Sequence, residues 1–397
     1  MLESSSSSNS GVAKVSDLPG SILINIFGRL PLKTVINCKF VCKSWRSLIS
    51  DSYFYQVYSH HIPTTVFFEV KEMSSSLLNL KEISVIDRQS CGIAKMQLTT
   101  NSRDHVVDIR NMNIQLGNGC NGLICLRGVK TGEPSLIWNP ITRQVIVVPK
   151  PATTADDNNV VAGFGLCGHT NRYKVLRIFH KKRDPPSRWR VEIYDLGTGN
   201  KWREIGDAPF PIPSTIPGFF INNTLHWNLD KNNKRNDHVN ANNNNSLICG
   251  FDFIEENFKA IKAPPIFSSH KKNKYHWSNL GIIGNFLSIC AIDAKAFRPD
   301  IQVWVMEKYG VPESWALRFS IRDFFIDWCN PYRSIQVINI RDNDEILMLC
   351  ANHFVKLYNL RERRFRTVEI FDFPVIAHVP SFVSLKDVFR EHPWGSG

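Results

Sequence analysis

An aromatic residue recurs at nearly constant intervals along most of this 397-residue chain. The five positions are Trp138, Tyr194, Phe251, Trp304 and Tyr358, which are separated by 56, 57, 53 and 54 residues. Asn or Asp follows four of them and favours a tight turn, whereas Val305 follows the fourth. Another large apolar residue returns seven or eight positions later in four copies, at Val145, Trp202, Phe258 and Phe365, while the longer fourth copy reaches Trp315. This pattern predicts a β-hairpin in each copy.

Each hairpin follows a second pair of apolar runs joined by a short polar turn, as where Gly163–Leu166 precedes Tyr173–Leu176. A unit of four antiparallel strands cannot bury both of its faces alone, so we expect the units to stack radially as blades of a β-propeller. The five complete copies span about 106–149, 160–206, 216–263, 279–320 and 334–371. The predicted fold class is mostly β, with a short three-helix module followed by a propeller of four-stranded blades.

Both ends of the repeat region contain additional strand-like runs. Val66–Val70 and Leu77–Ile86 precede the first copy, and Val379–Leu385 follows the last. A blade that combines strands from both ends would close the ring and remove an exposed sheet edge. The sequence therefore predicts six blades, with seven as the alternative.

The segment from residue 16 to residue 49 has a helical pattern instead. Pro19 suits the first turn of a helix, apolar residues recur from Ile22 to Leu30 at helical spacing, and Pro31 ends that helix. Two more short helices are expected around Val35–Cys38 and Val41–Ile49. These helices are too apolar to face solvent on one side, so they need a second burial surface, supplied by a partner protein or by the following domain.

The same segment resembles the F-box. The resemblance is carried by Asp17-Leu18-Pro19, by Ile26-Phe27-Gly28-Arg29-Leu30-Pro31, and by Val41-Cys42-Lys43-Ser44-Trp45. It implies docking onto a Skp-family adaptor and, through it, onto the cullin scaffold of an SCF (Skp, cullin, F-box) ubiquitin ligase. The implied adaptor-binding residues are Leu18, Pro19, Ile22, Ile26, Leu30, Pro31, Val35, Cys38, Val41, Cys42 and Trp45.

The region from residue 62 to residue 385 is similar to the plant F-box-associated interaction domain. The matching motifs include Asn121-Gly122-Leu123-Ile124-Cys125-Leu126, Trp138-Asn139-Pro140-Ile141-Thr142-Arg143 and Leu225-His226-Trp227. The kelch Gly-Gly doublet and the WD dipeptide are both missing. The expected organisation is a disordered Ser-rich leader at 1–13, an F-box module at 14–60, a propeller at 61–386 and a tail at 387–397.

Charge and cysteine content point to an intracellular protein. Lys and Arg exceed Asp and Glu by a net charge of +12, but the basic residues are spread along the chain, which does not favour a nucleic-acid-binding surface. The 10 cysteines stand mostly inside apolar runs, as expected of core residues in a reducing compartment. We expect no membrane span and a cytoplasmic or nuclear location, or both.

We expect no catalytic residue, metal site or cofactor. Gly163-Phe164-Gly165-Leu166-Cys167-Gly168 satisfies the dinucleotide-binding pattern, but a strand-like run follows it where that site requires a helix. Its glycines are expected to permit close approach between strands. No G-x-S-x-G, H-E-x-x-H or Walker pattern occurs.

The long loops of the predicted propeller fall on one end of the ring, which suggests a surface for binding a target. Aromatic and Arg side chains on or beside these loops are the candidate contacts: Arg188, Trp189, Trp277, Trp328, Tyr332 and Arg333. The resemblance thus implies a non-catalytic substrate-recognition subunit of a ubiquitin ligase, whose target the sequence does not identify. A protein-interaction scaffold outside a ligase, a nucleic-acid-binding propeller and a metal-containing propeller oxidase stay open as alternatives.

Overall fold

The computed structural model divides the chain into two compact units between Ile62 and Pro63. It describes residues 18–61, 66–69, 71–73, 77–79, 82–86, 93–97, 114–142, 144–153, 155, 160–181, 184–185, 188–198, 201–209, 212, 217–229, 247–267, 275–293, 300–322, 335–340, 345–350, 354–370 and 375–385. The predicted leader at 1–13 and the predicted tail at 387–397 lie outside the described residues.

Residues 18–61 form four helices, so the predicted count of three is wrong. They are α1 (Gly20–Gly28), α2 (Leu32–Cys38), α3 (Lys43–Ser50) and α4 (Ser52–His61). The carboxylate of Asp51 accepts a hydrogen bond of 2.7 Å from the backbone N–H of Tyr53, which stabilises the start of α4. Phe54 and Tyr58, one turn apart on α4, are both fully buried with ring centroids 5.4 Å apart. This pair gives α4 an apolar stripe that the sequence interpretation overlooked.

The second unit consists of short strands. Those before the aromatic repeats are β1 (Val66–Glu69), β2 (Lys71–Met73), β3 (Leu77–Asn79), β4 (Glu82–Ile86) and β5 (Ile93–Gln97). Blade 1 contains β6 (Ile114–Cys120), β7 (Leu123–Gly128), β8 (Pro134–Asn139) and β9 (Gln144–Val147). Blade 2 contains β10 (Val161–Cys167), β11 (Arg172–Phe179), β12 (Trp189–Asp195) and β13 (Arg203–Ala208).

The remaining repeats have the same construction. Blade 3 contains β14 (Phe219–Ile221), β15 (Thr224–Leu229), β16 (Leu247–Asp252) and β17 (Asn257–Lys262). Blade 4 contains β18 (Tyr275–Ile283), β19 (Phe286–Asp293), β20 (Ile301–Met306) and β21 (Trp315–Ile321). Blade 5 contains β22 (Ile335–Ile340), β23 (Glu345–Cys350), β24 (Phe354–Asn359) and β25 (Arg364–Ile370). In all five blades, strands that are consecutive in the chain pair with each other, which confirms the predicted four-stranded blades. The described residues form five such blades, so the predicted count of six, with seven as the alternative, is wrong.

Another four-stranded sheet combines strands from both ends of the unit. Its order is β26-β1-β4-β5, where β26 is Val375–His378, and Val66 pairs with His378. The prediction that Val379–Leu385 supplies the closing strand is therefore wrong. That segment lies along blade 1 instead, where the side-chain amide of Asn139 donates to the carbonyl of Val383 at 2.8 Å. The side-chain oxygen of Gln144 also accepts the backbone N–H of Leu385 at 2.7 Å, so side chains of blade 1 satisfy two backbone groups of this segment.

Apolar cores lie between consecutive blades. Neighbouring residues of one strand contribute to different cores. Val175 packs between blades 1 and 2, whereas Leu176 packs between blades 2 and 3. On blade 4, Ile289 packs between blades 3 and 4, and Cys290 packs between blades 4 and 5. Because successive side chains point to opposite faces of a strand, a strand that is covered on both faces is apolar at every position. This double coverage explains the continuous apolar runs in the sequence.

The recurrent aromatic residues all lie on the third strand of a blade, as the hairpin prediction requires. The side-chain oxygen of Asn359 accepts hydrogen bonds from two backbone N–H groups of the following turn, and Asp252 does the same in blade 3. In blade 4, the hydroxyl oxygen of Ser314 accepts a hydrogen bond of 3.0 Å from the backbone N–H of Lys308. A serine at the end of the longer turn therefore supplies the acceptor that Asn or Asp supplies elsewhere.

Candidate adaptor-docking surface

Helix α1 exposes part of its apolar surface to solvent. Pro19 precedes it, and the carbonyl of Pro19 accepts the N–H groups of Ile22 and Leu23 at 3.0 and 3.1 Å. Leu23 and Phe27 face the interior of the module, whereas the side chains of Ile22 and Ile26, one turn apart, are 45% and 40% exposed. Leu18 continues this exposed stripe before the helix begins.

The inner side of α1 packs on α3. The rings of Phe27 and Trp45 meet edge to face, with centroids 4.8 Å apart. A Cβ atom at Gly20 would lie 3.3 Å from the side chain of Leu48, so the small residue at this position lets the two helices approach closely. The internal packing thus uses one face of α1 and leaves Ile22 and Ile26 uncovered.

The turn between α2 and α3 exposes the two most accessible large apolar side chains of this module. Phe40 is 73% exposed and Val41 is 63% exposed. The next residue, Cys42, caps α3 because its thiol sulfur accepts the backbone N–H of Trp45 at 3.4 Å. A helix cap therefore fixes the end of this exposed turn.

The helical module also exposes three cations. Arg29, Lys43 and Arg46 are all exposed, and Asp51 is the one acidic residue among residues 18–61. We define the adaptor-docking surface as the exposed apolar side chains of Leu18, Ile22, Ile26, Phe40 and Val41 together with these three cations. Exposed apolar and cationic side chains on one small module suit a partner surface that is apolar and acidic.

Comparison with known protein families identifies both units. Residues 15–57 match the F-box domain, and residues 65–385 match the F-box associated beta propeller domain. The chain is an F-box protein with an F-box-associated propeller.

Plant relatives of this F-box protein cover most of its length. F-box protein At3g07870 of Arabidopsis thaliana is 23% identical over 88% of this chain and 86% of its own length. F-box protein CPR1 of the same plant is 23% identical over 90% and 85%, and F-box/kelch-repeat protein At3g23880 is 25% identical over 77% and 79%.

The sequence-predicted adaptor residues of the F-box protein differ in accessibility. Leu18, Pro19, Ile22, Ile26, Pro31, Val41 and Cys42 are exposed, Leu30, Cys38 and Trp45 are half-buried, and Val35 is fully buried. Val35 lies inside the module, where it can support the surface but cannot form it. Phe40 and the 57%-exposed Tyr53 were not predicted. Phe40 stands beside the predicted Val41, whereas Tyr53 belongs to the unforeseen helix α4.

Three of the predicted target contacts of the F-box protein belong to blades 2 and 4, and the other three lie between residues 323 and 334, which are outside the described residues. The guanidinium of Arg188 contacts the carboxylate of Asp207 at 3.0 Å, so it is already engaged within the chain. Trp189 is half-buried against the core between blades 2 and 3. The structure describes the backbone of Trp277 but not its side chain. Trp328, Tyr332 and Arg333 lie entirely outside the described residues.

The buried thiols and imidazoles of the F-box protein have strongly shifted pKa values. Burial raises the pKa of Cys125, Cys249 and Cys290 to about 12, so these thiols stay protonated at neutral pH. Burial also lowers the pKa of His226 and His378 to about 4, which keeps both rings neutral. The described residues contain no group of three or more His, Cys, Asp or Glu side chains that could hold a metal ion.

The G-x-G-x-x-G run of the F-box protein lies on β10, and strand β11 follows it, so the geometry of a dinucleotide site is missing there. A Cβ atom at Gly165 would lie 2.2 Å from the ring of Phe253 in blade 3, which confirms that this glycine permits close approach. In the described part of the chain, no helix has the length and apolar character needed to cross a membrane.

Proposed function

We propose that this F-box protein is the target-recruiting subunit of an SCF-type ubiquitin ligase. The F-box binds a Skp-family adaptor and, through it, a cullin, while the propeller binds the protein to be ubiquitinated. The exposed apolar stripe of α1, together with the exposed Phe40 and Val41 after α2, is the observation that carries this proposal. The membership of this chain in the F-box family supports the same assignment.

The subunit contributes proximity rather than bond chemistry. A target that is held on the propeller presents its lysines to a ubiquitin-loaded enzyme at a high effective concentration, which accelerates transfer without a catalytic side chain. The protonated thiols and neutral imidazoles of the propeller are consistent with a purely binding role. The described cysteines are free thiols, and most of them are buried. This state is expected of a protein that acts in the reducing cytoplasm or nucleus.

Arg188 and Trp189, which the sequence predicts at the long-loop end of the propeller, are the first described residues to test for target binding.

The adaptor assignment is tested by placing charge on the exposed stripe. The double variant Ile22→Glu/Ile26→Glu is expected to lose co-purification with a Skp-family adaptor, because burying two unpaired carboxylates in the contact costs several kcal/mol. A matched control is Val147→Glu/Leu317→Glu, at two propeller positions that are 48% and 45% exposed. The control should retain the adaptor.

Adaptor retention by the Ile22/Ile26 variant contradicts the proposal. If the adaptor binds but neither a cullin nor ubiquitin transfer follows in a reconstituted reaction, the protein is a scaffold outside a ligase. Thermal unfolding of both variants shows whether the propeller stays folded.

A further inference from the structure

The turn between β24 and β25 carries a dense group of arginines. Arg361, Arg363 and Arg364 are exposed, and the side chain of Arg366 is 54% exposed at the start of β25. Glu362 is the one acidic residue among them. We call residues 361–366 the arginine turn.

The backbone of the arginine turn is held in a defined conformation. The side-chain oxygen of Asn359 accepts the N–H groups of Arg361 and Glu362, both at 2.9 Å. Arg363 has a φ of 54°, in the left-handed region, and Asn359 pairs with Arg364 where the ladder resumes. The arginines therefore project from a hydrogen-bonded turn and not from a flexible loop.

Blade 3 has a turn of the same geometry in which a carboxylate, Glu256, stands where blade 5 has Arg363. Asp252 accepts the N–H groups of Ile254 and Glu255, Glu256 has a φ of 52°, and Asp252 pairs with Asn257. Residue by residue, Ile254, Glu255 and Glu256 thus occupy the positions of Arg361, Glu362 and Arg363. The fold accepts either charge there, so the turn geometry does not require arginine.

In blade 3, the side chain at the left-handed position joins two blades. The carboxylate of Glu256 contacts the ammonium group of Lys174 at 2.6 Å and also the guanidinium of Arg203, both in blade 2. Lys174 pairs with Asp195 across β11 and β12. In blade 4, the corresponding cross-strand pair is Ser288 and Val305, neither of which is charged. Arg363 therefore has no equivalent ionic role between blades 4 and 5.

The guanidinium of Arg366 lies 4.0 Å from the carboxylate of Glu345, whereas Arg363 and Arg364 form no ion pair within the part of the chain that the structure describes. Guanidinium groups are planar forks that bind carboxylates through paired hydrogen bonds, and Arg363 and Arg364 offer two such forks at consecutive positions of one fixed turn. We propose that the arginine turn binds an acidic, Asp- and Glu-rich segment of a partner protein.

The size of the patch favours a short acidic segment over a nucleic acid. A duplex or a long single strand needs a basic track along many phosphates, and this patch is one turn long. The equivalent turn of blade 3 exposes Glu255, which would repel a polyanion that extended across it. Within this chain, Arg177 already binds the carboxylate of Glu133 through two nitrogen atoms at 2.6 and 2.5 Å, which is the contact proposed for the partner.

This inference does not depend on the ligase assignment, because it concerns the propeller alone and its test involves no adaptor. The probe is a short fluorescein-labelled peptide of alternating Asp, Glu and Gly, and its binding to the full chain is followed by fluorescence anisotropy at about 0.15 M ionic strength. Three competitors are the Asn/Gln version of the peptide, a phosphoserine version and a single-stranded oligonucleotide of equal length.

Arg361→Gln/Arg363→Gln/Arg364→Gln is expected to weaken binding about tenfold or more, since charge-assisted hydrogen bonds are removed. The control Lys130→Gln/Arg172→Gln/Lys308→Gln removes the same charge from exposed positions in blades 1, 2 and 4, and should bind within about twofold of the parent. Replacing the three arginines by lysine keeps the charge without the fork, and should give an intermediate loss.

The proposal is overturned if the parent chain does not bind the peptide, or if the two glutamine triple variants lose affinity for it equally. Tighter binding of the oligonucleotide or of the phosphoserine peptide would overturn the choice of an acidic segment. Unfolding midpoints that match the parent show that the variants are folded.

Discussion

The indole N–H of Trp315 donates a hydrogen bond of 2.9 Å to the carbonyl of Lys262, across the boundary between blades 4 and 3. Trp202 of blade 2 donates in the same way to the carbonyl of Pro149 after blade 1, at 2.7 Å. Donor and acceptor are 53 residues apart in both cases, which is close to the repeat length. The two tryptophans therefore join neighbouring blades by an equivalent bond.

Replacing Trp315 by Phe keeps an aromatic ring but removes this donor. The free energy of unfolding is expected to fall by about 1–3 kcal/mol, because the carbonyl of Lys262 loses its partner. The control is Trp304→Phe, whose indole N–H donates to the side chain of Gln302 within the same strand. Chemical denaturation should show a smaller loss for the control, and equal losses would exclude a special role for the bond between blades.

Arg177 is the largest fully buried side chain among the described residues, and its charge is neutralised by two carboxylates. Glu133 of blade 1 and Glu192 of blade 2 contact it at 2.5 and 2.7 Å, and the guanidinium lies 4.0 Å from the centre of the Phe179 ring. Arg177→Met should cost about 3–5 kcal/mol in unfolding free energy, because it leaves the buried Glu192 without its cation.

The matched control for Arg177 is Arg188→Met. Arg188 pairs with Asp207, and both side chains are more than 40% exposed, so solvent screening limits the loss to about 0–1 kcal/mol. A similar loss in the two variants would show that the buried pair contributes no more than an exposed one.

His226 should make the propeller less stable in acid. Its Nδ1–H donates to the carbonyl of Phe219 at 3.0 Å, and its Nε2 accepts the hydroxyl of Tyr309 at 2.9 Å, an arrangement that needs the neutral ring. Burial lowers the folded-state pKa to about 4, below the unfolded value of about 6.5. Protons then bind the unfolded chain preferentially, so stability is complete above about pH 6.5 and declines as the pH falls toward 4.

His226→Gln removes this contribution, and the loss of unfolding free energy between pH 7 and pH 4.5 should shrink by about 2 kcal/mol relative to the parent. Parallel profiles for parent and His226→Gln would contradict the assignment.

Gly122 tests the contact between blade 1 and the segment from Val379 to Leu385. Its φ is +74°, and a Cβ atom there would lie 2.1 Å from the Cβ of Ser381. Gly122→Ala should therefore cost well over 2 kcal/mol, since both the backbone conformation and the packing oppose it. Gly310→Ala has a similar φ of +78° with nothing within 4 Å, so it should cost only about 1 kcal/mol.

The repeat could be predicted because propeller strands carry local signals. The aromatic position, the Asn or Asp after it and the apolar partner strand are all close in sequence, and Phe251 indeed pairs with Phe258. The exception at Val305 had a local cause as well, since Ser314 replaces the missing acceptor at the far end of a longer turn. In blade 4, Trp304 consequently pairs with Leu317, and Trp315 pairs with Met306 instead.

Long-range contacts could not be predicted in this way. The acceptors for Trp202 and Trp315 are backbone carbonyls, which every residue has, so the sequence does not mark them. The segment after β26 resembles a strand in composition, yet Asn139 and Gln144 of blade 1 hold its backbone. On the F-box, the family resemblance identified Ile22 and Ile26, but it also included Val35, which is fully buried.

Hydrogen–deuterium exchange of the full chain, with and without a Skp-family adaptor, tests the central claim most directly. The amides of residues 20–50 should exchange more slowly when the adaptor is present, because the adaptor-docking surface becomes covered and opening of α1 is suppressed. Exchange in blades 1 to 5 should not change. Unaltered exchange in α1 and in the α2–α3 turn, or protection confined to the blades, would contradict the account.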